Sequence, residues 1–324
     1  MVAKRLFRYA VIAALILGSA SGAHADDFPA RPITMIITFA AGGITDVVAR
    51  IYADVASRNM GQRIIVDNRP TGGGAVAALA VQNAPPDGYT LLVFAGAQHA
   101  ALPAMQPVAY QPVSGFQPVT ILFNLVNFLA VPKDSPANSA AELIELGRKK
   151  PGGLSFGSAG VGSPAHLNAV RMARATNTPI EYVQYRGSAP MMADLVSGRL
   201  DFSLVSYTGA GPFVAEGKLR ILAVDWKTRW PDLPDVPTLE EAGIRHEKVG
   251  SWFALAAPAG TPNGVVEKLN AEFVKASRDP ELIKRLTANG AAVTTSTPKE
   301  MSALLADEVE KTGELVRSLG LRAQ

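Results

Sequence analysis

The stretch that most constrains this chain runs from Pro32 to Arg50: Pro-Ile-Thr-Met-Ile-Ile-Thr-Phe-Ala-Ala-Gly-Gly-Ile-Thr-Asp-Val-Val-Ala-Arg. Ile33 to Phe39 is apolar and rich in β-branched residues, the pattern of a buried strand. Ala40-Ala41 and Gly42-Gly43 follow, and a helix begins behind them. Asp46 falls in its first turn, and Val47, Val48 and Ile51 supply an apolar stripe. A glycine pair between strand and helix lets backbone N–H groups approach a ligand closely, and the positive helix end favours an anion. The carboxyl end of a strand is also where open α/β sheets bind ligands. A carboxylate is therefore the expected guest. The same pattern also serves as a plain tight turn, so the rest of the chain has to decide.

The chain has 324 residues, and its first 25 read as a secretory signal peptide. Lys4, Arg5 and Arg8 make a basic start, Ala10 to Leu17 an apolar core, and Ala23-His24-Ala25 a small-x-small cleavage site. Cleavage after Ala25 leaves 299 residues, a length that suits two domains of ~150 residues. It also removes three of the 31 basic residues and no acid, so 28 Lys and Arg face 28 Asp and Glu. Balanced charge without basic clusters argues against a nucleic-acid or membrane-surface role. The absence of cysteine leaves stability to the core and excludes a lipid anchor at the cleavage point. A soluble, exported, two-domain protein is expected, in the periplasm.

The pattern then repeats. Gln62 to Val66 reads as a second strand, Asp67-Asn68-Arg69-Pro70 as its close, and Thr71-Gly72-Gly73-Gly74 as the lead into an alanine-rich helix. Tyr89 to Phe94 is a third strand, and Gly96-Ala97-Gln98-His99 should lie on the same sheet edge as Gly42-Gly43. Leu102 to Pro118 reads as a surface loop. Ile121 to Val131 carries the chain toward a second domain, giving 26–126 and 250–324 for the first domain and 127–249 for the second. There, Leu154 to Phe156 leads into Gly157-Ser158-Ala159-Gly160-Val161-Gly162-Ser163-Pro164, with Ser163 the cap of a following helix. Strands at Ile180 to Tyr185 and Leu200 to Ser206 end in Arg186-Gly187-Ser188 and Tyr207-Thr208-Gly209, hydroxylic and small residues that suit a polar cleft. Leu239 to Gly243 reads as a short helix. Two helices close the chain, Val265 to Ser277 capped by Asn263, and Pro298 to Ser318.

Alternating strands and helices predict mostly parallel sheets flanked by helices. One glycine loop per domain, with the chain crossing over and back, describes a clamshell whose closure excludes water from the ligand.

These residues resemble a known family. Phe39-Ala40-Ala41-Gly42-Gly43-x-x-Asp46-x-x-Ala49-Arg50, Asn68-Arg69-Pro70, Gly73-Gly74 and Pro86-Asp87-Gly88-Tyr89-Thr90-Leu91-Leu92 stand in its order. So do Phe156-Gly157-Ser158-x-Gly160-x-Gly162-Ser163-Pro164-x-His166-Leu167, Tyr185-Arg186-Gly187, Pro234-Asp235-Val236-Pro237-Thr238-Leu239-x-Glu241-Ala242-Gly243 and Ala257-Pro258-Ala259-Gly260-Thr261-Pro262. The chain looks like a substrate-binding protein of the tripartite tricarboxylate transporter system, the Bug family, over essentially its whole mature length. The resemblance implies a two-lobed type II periplasmic-binding-protein fold that captures small carboxylates for inner-membrane transporter subunits. It also implies that Ala40, Ala41, Gly42, Gly43 and Asp46 on one lobe, and Ser158 and Ser163 on the other, hold the ligand. Gln98, His99, Arg186, Gly187 and Tyr207 join them as candidates from their places after strands. Where the family often has proline in the first loop, this chain has Ala40-Ala41.

Several residues carry competing readings. Gly153-Leu154-Ser155-Phe156-Gly157 matches the Gly-x-Ser-x-Gly elbow of hydrolases, yet Ser155 falls inside a strand rather than on the strand–helix turn that elbow needs. A secreted serine hydrolase using Ser155 or Ser158 with His166 is nonetheless the alternative function. Asp46 either caps its helix and shapes the loop, the ordinary role of a first-turn acid, or contacts a ligand amine or an ordered water. Arg186 suits a carboxylate, or equally a surface acid. Gly72-Gly73-Gly74 lacks the lysine of a phosphate loop and reads as close helix packing. His99, His166 and His246 have no metal-ligand spacing. The expectation is a monomeric receptor with no cofactor, metal or catalytic residue. Its ligand would be a dicarboxylate, an acidic amino acid or an aromatic acid, and the liganded form could also present its solute to a membrane sensor.

Overall fold

The computed structural model describes residues 28–158, 163–185, 188–245 and 251–321. The expected signal peptide, His246, Arg186, Gly187 and residues 159–162 of the second glycine loop lie outside them. The described chain forms two α/β lobes. The first contains β1 (Ile33–Ile37), α1 (Ile44–Met60), β2 (Ile64–Asn68), a 3-10 turn (Thr71–Gly74), α2 (Ala75–Gln82), β3 (Thr90–Ala95), α3 (Gly96–Met105) and β4 (Phe116–Leu125). The second begins with β5 (Asn127–Pro132), α4 (Ala140–Lys149), β6 (Leu154–Ser158), α5 (Pro164–Thr176) and β7 (Ile180–Gln184). It continues with α6 (Ser188–Val196), β8 (Phe202–Ser206), α7 (Tyr207–Ala215) and β9 (Leu219–Asp225). The chain returns to the first lobe with β10 (Trp252–Pro258), α8 (Asn263–Ala276), α9 (Pro280–Ala288), β11 (Ala291–Val293) and α10 (Pro298–Ser318).

One sheet has the order β11–β4–β10–β3–β1–β2 and the other β7–β6–β8–β5–β9. Four strands of each sheet run the same way, and the strands that bring the chain across from the other lobe, β5 and β10, run against them. The register shows why. Asn127 opens β5 opposite Ser206, the last residue of β8, and Phe253 sits opposite Ala95, the last of β3. A strand arriving from the other lobe enters at the cleft edge, where parallel strands finish, and must run back from it.

Both faces of the first sheet are covered. Ile33, Met35 and Ile37 pack with Val48, Ile51 and Tyr52 of α1 and with Leu269 and Phe273 of α8. Ile36, Leu92 and Phe94 pack with Ala77, Ala78 and Val81 of α2 and with Met301 and Leu305 of α10. Such continuous apolar strands are what a sheet buried on both sides requires. Among the described residues, no helix is long and apolar enough to cross a membrane.

The structure departs from the sequence expectations in four places. Residues 96–105 form a helix where a loop was expected from Leu102 onward, because Pro103 stands near its end and interrupts little of the ladder. Leu239 to Gly243 forms hydrogen-bonded turns rather than a helix, with Ala242 N donating to the Thr238 carbonyl and Leu239 N to the Val224 carbonyl. Pro280–Ala288 is an additional helix, with the side chain of Asp279 accepting from Glu281 N and Leu282 N. Asn263 is the first residue of its helix rather than the cap, which is Pro262.

Candidate functional site

The loop after β1 is exposed from Ala40 to Gly43, and Gly42 has φ of +80°, a conformation that glycine adopts without strain. Its shape is held from behind. Asp46, buried in the first turn of α1, accepts the Gly42 N–H at 2.9 Å through Oδ2, and its Oδ1 lies 2.9 Å from Arg50. Arg50 also donates to Asn68 Oδ1 at 3.1 Å, and Asn68 Nδ2 donates to the Phe39 carbonyl at 3.1 Å. The end of β2 thereby braces both sides of the loop. Burial opposes ionisation of Asp46, but hydrogen bonds from Arg50, Gly42 and Asn68, with the Arg50 charge, outweigh it and hold its pKa below the ordinary value. Asp46 remains a carboxylate directed at its own loop.

In the second lobe, Ser158 ends β6 and is buried. Ser163 caps α5, its side chain accepting His166 N at 3.3 Å, and Pro164 occupies the first helical position. Ser206 caps α7 by accepting Gly209 N at 3.3 Å. These are strand-to-helix junctions at the carboxyl edge of the sheet, each offering first-turn N–H groups.

The two lobes meet through three of their helices. Ala97 and Ala101 of α3 pack with Leu167 and Val170 of α5 and with Leu315 and Val316 of α10 in one apolar cluster. Helices that start where strands of each sheet end thus meet between the lobes through small and branched side chains.

Other expected site residues have different surroundings. His99 is buried in the first lobe, its Nε2 2.9 Å from the Pro112 carbonyl and its ring 4.6 Å from Phe94, 4.8 Å from Tyr110 and 5.3 Å from Phe116. Burial lowers its pKa to about 4, the Pro112 hydrogen bond opposing. An aromatic layer thus surrounds the ring that was expected to face a ligand. Tyr207 turns its ring toward Phe128 (5.4 Å) and Trp230 (6.2 Å). Burial, and then the negative charge of Asp232 and a hydrogen bond to it, raise the pKa of its hydroxyl. Its ring belongs to the wall of the second lobe. Gln98 stays at the edge, beside Gly73. His166 is buried, its ring 5.4 Å from Tyr182, with its pKa lowered by burial.

Ser155 is engaged. Its Oγ donates to Asp201 Oδ2 at 2.9 Å and accepts Asp201 N at 3.0 Å, while Lys150 Nζ lies 2.5 Å from the same carboxylate oxygen. It is the second residue of β6, three positions before the cleft edge, so the Gly-x-Ser-x-Gly spacing forms no elbow. Among the described residues, no group of three or more His, Cys, Asp or Glu could hold a metal ion.

The close packing expected of residues 72–74 falls on Gly74, which meets Thr38 just after β1 rather than a helix. Gly72, Gly73 and Gly74 all have positive φ, of +64°, +64° and +91°, and Gly72 and Gly73 are exposed on the same edge as the first loop. Gly74 is the close contact, because a Cβ there would lie 2.6 Å from Thr38 Cβ.

Comparison with known proteins gives a consistent result. Residues 48–321 match the family model described as tripartite tricarboxylate transporter family receptor. The periplasmic binding protein BugD superposes with a TM-score of 0.73, at 31% identity over 92% of this chain and 100% of that one. An R. palustris protein solved with adipate gives 0.76, at 32% identity over 91% and 99%. MatC from Rhodopseudomonas palustris, solved with bound malate, gives 0.72, at 33% identity over 89% and 100%. Two lobes, cleft-edge loops and near full-length similarity agree: the chain belongs to the tripartite tricarboxylate transporter family receptors, among the Bug proteins.

Proposed function

We propose that this protein is a periplasmic receptor that closes on a small carboxylate and delivers it to a tripartite tricarboxylate-type transporter. The observation that carries the reading is the apolar cluster in which Ala97 and Ala101 of α3 in the first lobe meet Leu167 and Val170 of α5 in the second. A ligand would then be held between the Ala40 to Gly43 loop on one lobe and Ser158 with Ser163 on the other. Backbone N–H groups at helix starts bind carboxylates without a charged side chain. Asp46 shapes its loop, and Arg186 and Gly187 are further ligand contacts. The relatives bound to adipate and malate favour a dicarboxylate over an acidic amino acid or an aromatic acid. Residues 1–25 serve as the export signal, 26–126 with 250–324 form one domain and 127–249 the other, and the receptor acts as a monomer. Presentation of the liganded form to a membrane sensor is compatible with the same cleft.

A thermal-shift screen of residues 26–324 tests the reading, after unfolding and refolding to strip endogenous solute. Adipate and malate would head a panel of small carboxylates. A ligand at 100 times its dissociation constant adds about 2.7 kcal/mol of stability, a rise of several degrees. Gly43→Phe should abolish the shift without unfolding the protein, since a Cβ there meets only the Ala40 carbonyl oxygen, at 3.4 Å. A panel without any shift would count against the carboxylate reading.

A further inference from the structure

Beside the exposed loops of the first lobe lies a small, partly open space bordered by Thr38, Gly73, Phe94, Gln98, His99 and Tyr110. Its polar neighbours divide into two kinds. Tyr110 spends its hydroxyl on the His99 carbonyl at 3.1 Å, and His99 Nε2 lies 2.9 Å from the Pro112 carbonyl. Thr38 Oγ1 and Gln98 Oε1 are buried, and neither has a hydrogen-bond partner among the described residues. Thr38 as a whole is only 6% exposed. A buried hydroxyl or amide oxygen without a partner keeps its full desolvation penalty, so native proteins rarely leave two together.

We propose that this space is a binding site for one ordered water, held between Thr38 Oγ1 and Gln98 Oε1. The room for a water centre is about 10 Å³, close to what one water needs and too little for a larger molecule. The two side chains do not bond each other directly, and a water between them donates to the amide oxygen and bonds the hydroxyl. The position gives the water a role. Thr38 directly precedes the Phe39 to Gly43 loop, Gly74 packs against Thr38, and Gln98 stands in the first turn of α3 beside Gly73. One water thus ties Thr38 after β1 to Gln98 after β3, with Gly74 of the loop after β2 packed on Thr38. The inference does not depend on the identity of the ligand.

The sign of one stability change tests it. Thr38→Val keeps the shape of the side chain and removes the hydroxyl. With a water in place, the substitution strips that water of a partner and lowers Tm, by about 2–4 °C. In a dry site, the same change relieves a desolvated hydroxyl, and Tm stays level or rises. A high-resolution crystal structure of residues 26–324 provides a second readout that needs no variant. A density peak within hydrogen-bonding distance of both Thr38 Oγ1 and the Gln98 amide is expected. An unchanged or raised Tm, or clear density with no such peak, overturns the proposal.

Discussion

The indole of Trp252, the first residue of the returning strand, lies on the bare backbone of Gly96, the first residue of α3. A Cβ on Gly96 would sit 2.1 Å from the ring. The ring itself is 3% exposed, and its Nε1 donates to the buried carboxylate of Glu308 on α10 at 3.2 Å. This contact seats the start of a cleft-edge helix against the strand that closes the first lobe. It depends on glycine for lack of space, since Gly96 has no left-handed φ.

Gly96→Ala should therefore be costly, by about 2–3 kcal/mol, because a rigid buried ring has nowhere to go. Gly42→Ala meets nothing within 4 Å and carries only the strain of φ +80°, about 1 kcal/mol. Urea melts of the two variants should give that order. A larger loss for Gly42→Ala would show that the Trp252 seat relaxes easily.

Asp46→Ala should destabilise by about 1–2 kcal/mol at neutral pH through loss of the loop brace. Because the folded pKa of Asp46 lies below its ordinary value, the contribution is complete above the unfolded pKa and disappears as pH falls through the folded one. Wild-type and variant melts should keep a constant gap above about pH 5 and converge in stronger acid. A gap that persists when the carboxylate is protonated would mean that packing, rather than charge and hydrogen bonding, is what the variant removes.

His99 predicts a pH dependence in a different window. Its pKa falls from 6.5 to about 4 on folding, so the unfolded chain binds the proton first. Stability from the neutral ring is full above pH 6.5 and drains away as pH drops toward 4, by an amount on the order of 3 kcal/mol. His99→Phe keeps the aromatic contact and cannot titrate. The wild-type stability relative to that variant should decline across the window and level off below it. A flat difference would place the ring in water.

Ser155→Ala should cost about 1–2 kcal/mol, since the hydroxyl both donates to and accepts from Asp201. Ligand binding should be unchanged, because Ser155 stands three residues away from the cleft edge of β6. Loss of a turnover reaction in that variant would instead revive the hydrolase reading.

Much of this protein was legible in one dimension. Apolar β-branched runs, glycine pairs and the Ser163-Pro164 cap depend on neighbours close in sequence, and they marked the strands and helix starts that carry the cleft. The two lobes followed from the repeat of that theme and from the resemblance it carries. Tertiary structure decided where each side chain after a strand would point. His99 and Tyr207 follow strands as closely as Gly42 does, yet both rings turn into aromatic layers built from Phe94, Tyr110 and Phe116, and from Phe128 and Trp230. Those partners are contributed by separate segments of the chain, and no local pattern announces them. The brace from Asn68 to Phe39, the seat of Trp252 on Gly96 and the junction of α3, α5 and α10 likewise arise only in packing. Local spacing determines which elements form, and burial against distant residues determines which of their side chains remain free to meet a ligand.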